Sequence, residues 1–227
     1  MNYKTDMMNI TNECNMELMA RYPDNHFDLL LTDPPFGMVF QSNRRKEKLL
    51  KIENDDNLNW LPSWILEIKR VMKEDAHLYI FCSFHKVEVF KSEIQKHFKV
   101  KNILIWEKNN VGMGDLEGDF APKYEMILFC TNGNKKLNGR RDSNIIKAKK
   151  TGNINHPTEK PVNLLEYLIE KSTKENDIVL DTFSGSFSCA FACHNTKRNF
   201  VGCEINKDYF DAGVKRLAQH QSQTTLF

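Results

Sequence analysis

Apolar and polar residues alternate along the chain in two patterns that predict strands and helices in turn. Short uninterrupted apolar runs, typical of strands covered on both faces, occupy residues 27–31, 76–82, 102–106, 125–130, 177–180 and 199–203. Between them, apolar residues spaced three and four apart predict amphipathic helices over residues 60–74, 85–98, 160–174 and 207–221. This alternation predicts an open α/β sheet with helices on both of its faces.

Two polar segments, 37–57 and 132–156, interrupt this alternation. A chain of 227 residues with 41% hydrophobic and 27% charged residues suits a single globular domain. We therefore predict one domain over residues 1–227, with a basic loop insert at 37–57 and a short recognition-like insert at 132–156.

Composition limits the class of protein further. No apolar run approaches the roughly 20 residues that cross a bilayer, and the first residues lack the apolar core of a signal peptide. A cytoplasmic protein without a membrane partner is therefore expected. Six cysteines scattered mostly among apolar neighbours indicate reduced core thiols and no metal site. The net charge of +2 is too small to indicate a nucleic-acid partner by itself.

Unusual polar residues follow three of the predicted strands. In open α/β sheets a ligand binds beyond the carboxyl ends of the strands, so these positions carry most of the functional information. The three strand ends are the run Asp33-Pro34-Pro35-Phe36, the run DTFSGSF at 181–187, and Glu204.

The second and third strand ends predict a site for a nucleoside-containing cofactor. A glycine turn before a small-residue helix that starts near Ser188 brings backbone N–H groups close to a ligand. Glu204 ends the next strand, where a carboxylate can accept hydrogen bonds from both hydroxyls of a ribose. The glycine fingerprints of NAD sites and of P-loops are absent, which argues against NAD and ATP. A plain turn at Gly185 and a solvated acid at Glu204 are the alternative.

The first strand end predicts a binding site for an amino group. Proline excludes the helical region for the residue before it, so Asp33 stays extended, and Pro34 and Pro35 have no N–H. Such a rim offers a carboxylate and carbonyls, which suits the exocyclic NH₂ of a nucleobase. The Asp33 carboxylate and the Pro34 carbonyl would direct this weak nucleophile at a methyl sulfonium while Phe36 stacks on the base. An ordinary loop is the alternative.

Four stretches of the chain resemble the motifs of S-adenosylmethionine-dependent amino DNA methyltransferases: DPPF, LDTFSGSFS (180–188), FVGCEINKDYF (200–210) and HPTEKPVNLLEYLI (156–169). The order, with DPPF before the cofactor motif, is similar to that of the circularly permuted β class, whose members are usually adenine-N6 and sometimes cytosine-N4 enzymes. The resemblance implies a three-layer Rossmann-like class I fold with a mostly parallel seven-stranded sheet and one antiparallel strand. It also implies methyl transfer from S-adenosyl-L-methionine to N6 of a flipped-out adenine in double-stranded DNA.

The resemblance assigns roles to the matching positions. Glu204 corresponds to the ribose-binding acid, Ile205 to the residue against the cofactor adenine, and Lys160 or Thr158 to the partner of the cofactor carboxylate. Asn12 or Glu13 is expected near that adenine. The implied catalytic residues are Asp33, Pro34, Pro35 and Phe36. The implied cofactor-binding residues are Asp181, Phe183, Ser184, Gly185, Glu204, Ile205, Thr158 and Lys160.

Two positions depart from the family pattern. Phe187 stands where the family commonly has a second glycine. The cofactor site is expected to survive if the Phe187 ring points into the sheet, and to bind weakly if the ring points at the cofactor. Phe36 stands where tyrosine is commoner, and it still provides a π face for stacking.

Local charge predicts where DNA binds. Residues 132–156 contain seven Lys or Arg against one acid, and the loop after DPPF is also basic. Such side chains neutralise phosphates, although basic loops are often only solvated surface. Tyr124 is a candidate second stacking face. The predicted substrate-binding residues are Arg44, Arg45, Lys46, Tyr124, Arg140 and Arg141.

Other functions stay open at this point. The nearer alternatives are methyltransferases for cytosine N4, an RNA base or a protein glutamine amide. An acid at the first tetrapeptide position favours adenine, because the cytosine enzymes more often resemble SPPY and the glutamine enzymes NPPY. A non-catalytic nucleic-acid-binding protein of the same fold is the more distant alternative. The recognition sequence, membership of a restriction-modification system, and the choice between monomer and homodimer are not determined.

Overall fold

Residues 1–37, 57–112, 117–149 and 159–224 are described by the computed structural model of the protein, and every structural statement below concerns these residues. The strands are β1 (Asn2–Lys4), β2 (Met8–Thr11), β3 (Phe27–Thr32), β4 (Met72–Cys82), β5 (Lys99–Glu107), β6 (Tyr124–Asn132), β7 (Ile145–Lys147), β8 (Ile178–Asp181) and β9 (Asn199–Cys203). The helices are α1 (Asn15–Ala20), α2 (Leu61–Val71), α3 (Val87–Ile94), α4 (Val162–Ser172), α5 (Ser188–Asn195) and α6 (Lys207–Thr224).

All of these strands belong to one sheet, in the order β1-β2-β9-β8-β3-β4-β6-β5-β7. Since β2, β9, β8, β3 and β4 run in the same direction, their carboxyl ends share one edge, which we call the carboxyl edge. Strand β6 runs against its neighbours β4 and β5. The start of β6 and the end of β5 therefore lie at the carboxyl edge too, where Met126 pairs with Cys82 and Tyr124 with Glu107.

Apolar side chains cover both faces of the sheet and form two core clusters. Leu29 and Leu31 of β3 face the cluster that also holds buried residues of α4, α5 and α6. Leu30 faces the other cluster, which contains the buried residues of α1, α2 and α3. Alternation along a strand between two helix layers gives a three-layer architecture. The predicted α/β class, a largely parallel sheet with helices on both faces, is confirmed.

Helix α2 illustrates how the apolar spacing selects the buried face. Its buried residues recur three and four positions apart, and Lys69 and Arg70 lie in its last turn, where a positive charge favours the helix dipole. The buried residues of α2 are Leu61, Trp64, Ile65, Ile68 and Val71.

The sheet differs from the expectation in its edges. Over the described ranges it has nine strands rather than seven, and both β1 and β6 are antiparallel to their neighbours. Strands β1 and β7 have three residues each, most of them exposed, so they leave no apolar run in the sequence. Strand β2 and the six-residue helix α1 also escape prediction, because so few residues do not establish a period.

The two polar segments behave differently. Residues 38–56 of the first lie outside the described residues. The second, 132–156, contributes β7 to the sheet beside β5, so part of this predicted insert belongs to the fold itself. The assignment of one catalytic domain to residues 1–227 stays a prediction. None of the described helices is long and apolar enough to cross a membrane.

Candidate active site

The predicted catalytic and cofactor motifs meet at the carboxyl edge, because β3 lies next to β8 and β8 next to β9. Asp33 follows β3 directly, Asp181 is the last residue of β8, and Glu204 follows β9. The hydroxyl of Thr32 donates a hydrogen bond to Asp181 Oδ1 at 2.7 Å and so links the first two strand ends. The sheet order thus brings three acids from distant parts of the chain to one place.

The two carboxylate oxygens of Asp33 have different environments. Oδ2 forms a salt bridge with Lys160 Nζ at 2.7 Å. Oδ1 is buried and accepts no hydrogen bond from any described residue. Burial raises the pKa of Asp33, and the Lys160 ammonium opposes this rise. A buried acceptor without a partner is unfavourable, so Oδ1 is a candidate acceptor for an N–H group of a ligand.

The residues after Asp33 form a stiff rim. Pro34 is buried, and Pro35 and Phe36 are partly buried. The Phe36 ring meets Phe90 of α3 edge-on, with 6.4 Å between the ring centroids. Gly37 follows with a φ of 67°, a left-handed conformation that favours glycine. The predicted stacking residue Phe36 is therefore anchored on α3.

The glycine turn after β8 is held against β9. The N–H of Gly185 donates to Glu204 Oε2 at 2.9 Å, and the N–H of Asn206 donates to Glu204 Oε1 at 2.8 Å. Backbone groups on both sides therefore fix the orientation of the Glu204 carboxylate. A side chain at Gly202 would collide with Ser184 Oγ, so glycine in β9 permits the close approach of the turn.

Residues beside Glu204 belong to the same predicted cofactor site, formed by Asp181, the glycine turn and Glu204, which we call the crevice. Asn12 Nδ2 donates to the carbonyls of Glu204 at 2.8 Å and of Ile205 at 3.0 Å. This brings the residue after β2 to the predicted adenine position, whereas Glu13 is ion-paired with Arg21. Ile205 is 43% exposed and so presents apolar surface next to the Glu204 carboxylate.

Phe183 and Ser184 of the glycine turn make contacts within the protein. The Phe183 ring packs against Trp60 and Trp64, with centroid distances of 5.4 and 5.9 Å. Ser184 Oγ donates to the carbonyl of Asp181 at 3.2 Å. These two predicted cofactor-binding residues therefore stiffen the turn.

Phe187 points into the core. It has a φ of 65° at the start of α5, a left-handed conformation in which glycine would be favoured. Its ring is buried and meets Phe210 of α6 with 5.9 Å between the centroids. A side chain at Gly213 would collide with this ring, so a glycine in α6 makes room for it. This is the orientation in which the cofactor site is expected to survive.

The acids of the crevice influence one another. Burial raises the pKa of Asp181 to about 7 against hydrogen bonds from Thr32 and the Phe183 N–H, and the charges of Asp33 and Glu204 add to the rise. A cationic ligand would favour the ionised form of these acids, so the site suits a cation. S-adenosylmethionine carries a sulfonium and an ammonium charge, so the carboxylates of this crevice fit the predicted cofactor.

Lys160 lies next to Asp33, the predicted catalytic residue. Its Nζ contacts Asp33 Oδ2 at 2.7 Å and Glu125 Oε2 at 3.0 Å, and the side chain is only 9% exposed. Burial lowers the pKa of Lys160, but the two carboxylates outweigh this effect and raise it. The contact of Lys160 with the cofactor carboxylate stays a prediction. Thr158, its predicted neighbour at that carboxylate, lies outside the described residues.

The predicted substrate-binding residues do not all lie together. Tyr124 begins β6 at the carboxyl edge and is 42% exposed. Arg140 and Arg141 are exposed but lie near the end of α4, where Lys171 Nζ donates to the Arg140 carbonyl at 2.7 Å. The end of α4 leads to the amino end of β8, so these arginines are remote from the carboxyl edge. Arg44, Arg45 and Lys46 lie outside the described residues.

Two charged residues of the site, Glu125 and Lys108, are not predicted from the sequence. Glu125 pairs with Lys160 and also with Lys108 Nζ at 2.8 Å. Burial would raise the pKa of Glu125, but Lys160 and Lys108 lower it to about 2. The signal in the sequence is a lone acid before the apolar run MILFC. Its meaning depends on the antiparallel direction of β6, which places Glu125 at the carboxyl edge.

Comparison with known proteins identifies the family. The family described as DNA methylase, with N6 and N4 amino methyltransferases as members, matches residues 27–215. The chain belongs to this N6/N4 amino DNA methyltransferase family.

Individual relatives agree with this assignment. The protein named methylase YubD of Escherichia coli (strain K12) is 32% identical to this chain over 213 residues. These residues cover 93% of this chain and 90% of YubD. The DNA adenine methyltransferase YhdJ of the same strain is 27% identical, covering 92% of this chain and 82% of YhdJ. The crystal structure of the M1.HpyAVI-SAM complex matches with a TM-score of 0.70 at 26% identity, covering 92% of this chain and all of M1.HpyAVI. The class I methyltransferase fold is confirmed, and S-adenosyl-L-methionine is the cofactor of the family.

Proposed function

We propose that this protein transfers a methyl group from S-adenosyl-L-methionine to the exocyclic N6 of an adenine flipped out of double-stranded DNA. One observation carries the proposal. Asp33 Oδ1, a buried acceptor without a partner among the described residues, lies at the same sheet edge as the crevice of Asp181 and Glu204. The chain 1–227 would act as one catalytic domain.

The crevice would hold the cofactor mainly through Glu204 and the glycine turn. The Glu204 carboxylate, already oriented by the N–H groups of Gly185 and Asn206, can also accept from ribose hydroxyls because a carboxylate has about four acceptor sites. Ile205 would lie against the adenine ring, and Asp181 would contribute negative charge near the cationic end. When bound, the cofactor supplies an electrophilic methyl carbon on a sulfonium.

Asp33 would act on the amino group of the target base. Its Oδ1 and the carbonyl of Pro34 would accept hydrogen bonds from the NH₂ and orient the nitrogen lone pair. After methyl transfer the nitrogen carries a positive charge and one proton more than in the product. The ionised Asp33 stabilises that charge and is a suitable acceptor for that proton.

The target base has to leave the duplex, at an expense of a few kcal/mol, before its amino group can reach Asp33. Phe36 and the exposed ring of Tyr124 would stack on the extruded base and recover part of this energy. Arg44, Arg45 and Lys46 follow the catalytic motif and would bind the phosphates next to the target. Arg140 and Arg141, near the end of α4, would contact only phosphates farther away.

Adenine is proposed over cytosine because the catalytic tetrapeptide begins with an acid, Asp33, and because YhdJ, 27% identical, is an adenine methyltransferase. The N4 amino group of cytosine is the alternative, since it presents the same two N–H donors to Asp33 Oδ1 and the Pro34 carbonyl.

The test is expression in a host that lacks DNA methylation, followed by long-read sequencing of its DNA. We expect N6-methyladenine at one short recurring sequence, and none when Asp33→Asn is expressed instead. N4-methylcytosine would establish the alternative base. Folded wild-type protein that modifies no base would contradict the proposal and favour a non-catalytic DNA-binding protein.

A further inference from the structure

A row of four alternating charges ends at the catalytic acid. Lys108 Nζ lies 2.8 Å from Glu125 Oε1, Glu125 Oε2 lies 3.0 Å from Lys160 Nζ, and Lys160 Nζ lies 2.7 Å from Asp33 Oδ2. Lys108 follows β5, Glu125 belongs to β6, Lys160 precedes α4, and Asp33 follows β3. Four separate parts of the chain therefore converge to build the row, which is unlike a chance pair on one surface helix.

Lys160 is the most enclosed member of this row. Its side chain is 9% exposed, against 16% for Lys108, 29% for Glu125 and 19% for Asp33. Its ammonium also lies 4.9 Å from the centroid of the Phe81 ring, within the range of a cation–π contact. The protein therefore fixes this ammonium from several sides.

The segment that carries Lys160 is itself anchored. Glu159 forms a salt bridge with Arg216 of α6 at 2.7 Å, and Arg216 also donates to the carbonyl of Ser186 at 3.1 Å. Pro161, on the other side of Lys160, leads directly into α4. The backbone of Lys160 is thus tied to the helix start and to the glycine turn.

We propose that Lys160 is a positioning residue that holds Asp33 through Oδ2 and so leaves Oδ1 as the one carboxylate oxygen for the target amino group, and that Glu125 holds Lys160 in turn. This inference rests on the proposed function, because it gives Lys160 and Glu125 a task in the same reaction. A carboxylate fixed at one oxygen cannot rotate away from the amine, which preserves the orientation that methyl transfer needs.

Glu125 also adjusts the charge that the amine meets. With Lys160 alone, Asp33 would belong to a neutral pair and would attract a developing positive charge weakly. Glu125 offsets part of the Lys160 charge, and Lys108 offsets part of the Glu125 charge, so the negative field of Asp33 depends on the whole row. Lys108 and Lys160 together hold Glu125 ionised, in agreement with its pKa of about 2.

The groups around Asp33 determine its ionisation. Burial raises the pKa of Asp33, Lys160 lowers it, Glu125 raises it, and Lys108 lowers it. Asp181 from β8 and Cys82 from β4 also face Asp33, and the Asp33 charge contributes to the raised pKa of each. Lys160 and Glu125 therefore act on the pKa of Asp33 in opposite directions.

The experiment measures the rate of single-turnover methyl transfer as a function of pH. It uses saturating S-adenosylmethionine and an unmethylated duplex that contains the sequence found to be methylated in the host experiment. Lys160→Met should move the acid limb of the profile to higher pH by about 1 unit and reduce the rate about tenfold below that limb. Glu125→Gln should move the limb to lower pH. Lys160→Arg should restore the wild-type profile.

Lys123→Met is the matched control, because Lys123 forms an exposed pair with Glu107 at 2.9 Å and should leave the limb in place. Acid limbs that coincide in Lys160→Met, Glu125→Gln and wild type would overturn the inference. A Lys160→Met enzyme that loses S-adenosylmethionine affinity as strongly as rate, with an unmoved limb, would also overturn it and make Lys160 a cofactor ligand.

A second readout does not depend on catalysis. The side-chain carboxyl carbon of Asp33 can be followed by ¹³C NMR and assigned by its loss in Asp33→Asn. Its titration should shift upwards in Lys160→Met and downwards in Glu125→Gln. If the wild-type enzyme methylates no DNA, the proposed function fails, while this titration still decides whether Lys160 and Glu125 control Asp33.

Discussion

Buried polar side chains gather in two groups, one at the carboxyl edge of the sheet and one towards the amino ends of its parallel strands. The two groups differ in how their hydrogen bonds are satisfied. Away from the carboxyl edge, His77 Nδ1 and the Tyr79 hydroxyl both bond to the buried Ser172 hydroxyl, at 2.9 and 2.8 Å. His77 Nε2 lies 3.1 Å from the carbonyl of Lys135. A neutral His77 that donates from Nε2 and accepts at Nδ1 satisfies every partner in this amino-end cluster.

At the carboxyl edge, by contrast, the hydrogen bonds of the buried polar groups are not all satisfied. Asp33 Oδ1 is buried without a partner among the described residues, and Asp181 is buried beside two other acids. One polar cluster thus completes its hydrogen bonds within the protein, whereas the other leaves capacity for a ligand. On the proposed function, the first cluster stabilises the fold and the second is the place where ligands bind and react.

Asp33→Asn should give the largest effect. The amide keeps the shape of the side chain and leaves Lys160 paired with Glu125, but it cannot stabilise a positive nitrogen or accept its proton. We expect methyl transfer to fall by about 1,000-fold or more, about 4 kcal/mol of transition-state stabilisation, with a change in unfolding free energy within about 1 kcal/mol. Labelled methyl incorporation and urea unfolding measure the two quantities. Equal activity of the variant would remove Asp33 from the mechanism.

Ser172→Ala should give the opposite pair of results. It leaves His77 Nδ1 and the Tyr79 hydroxyl buried without their shared partner, so the free energy of unfolding should fall by about 3 kcal/mol. Methyl transfer per folded molecule should stay at the wild-type rate. A stable but inactive Ser172→Ala protein would contradict the division between the two clusters.

His77 gives the amino-end cluster a pH dependence. Burial lowers the pKa of His77 to about 4, below its ordinary value, so the folded state favours the neutral ring. The stability contributed by His77 is present above about pH 6.5 and is lost as the pH falls towards 4.

Between about pH 7 and about pH 5, wild type should lose about 2 kcal/mol relative to His77→Gln. The comparison with His77→Gln at both pH values removes the contribution of Asp181, whose raised pKa acts in the other direction. Parallel pH dependence of the two proteins in urea unfolding would show that His77 is not the group responsible.

Glu204→Gln should give the smallest effect among these variants. Glutamine keeps one acceptor for the N–H groups of Gly185 and Asn206 but loses the charge that favours ribose hydroxyls. We expect S-adenosylmethionine affinity to fall about tenfold in calorimetry. Asp211→Asn, at an exposed pair with Lys207, is the control and should bind as wild type does. Unchanged affinity in Glu204→Gln would remove Glu204 from the ribose site.

The sequence predicts the motif residues of the candidate site better than the residues that hold them in place. Asp33, Gly185 and Glu204 stand at the ends of apolar runs, and the carboxyl ends of parallel strands share one edge, so their convergence follows from pattern and topology. The short edge strands β1 and β7 follow from neither, because three residues establish no period.

The residues that hold Asp33, Lys160 and Glu125, can be identified only from the three-dimensional structure. Glu125 reaches the carboxyl edge only because β6 runs antiparallel, and Lys160 reaches Asp33 only because α4 starts at that edge. The orientation of Phe187 is equally inaccessible from the sequence, because it depends on the space left by Gly213 in a different helix.

The most direct test of the account compares binding of two DNA duplexes, one with adenine at the target position and one with purine, which lacks the amino group, each in the presence of sinefungin. Wild type should prefer the adenine duplex by about tenfold or more, and Asp33→Ala should lose most of this preference, because it removes the contact between that amino group and Oδ1 and leaves only the contact with the Pro34 carbonyl. An equal preference for adenine in Asp33→Ala and in wild type would contradict the assignment of Asp33 Oδ1 as the acceptor of the target amine.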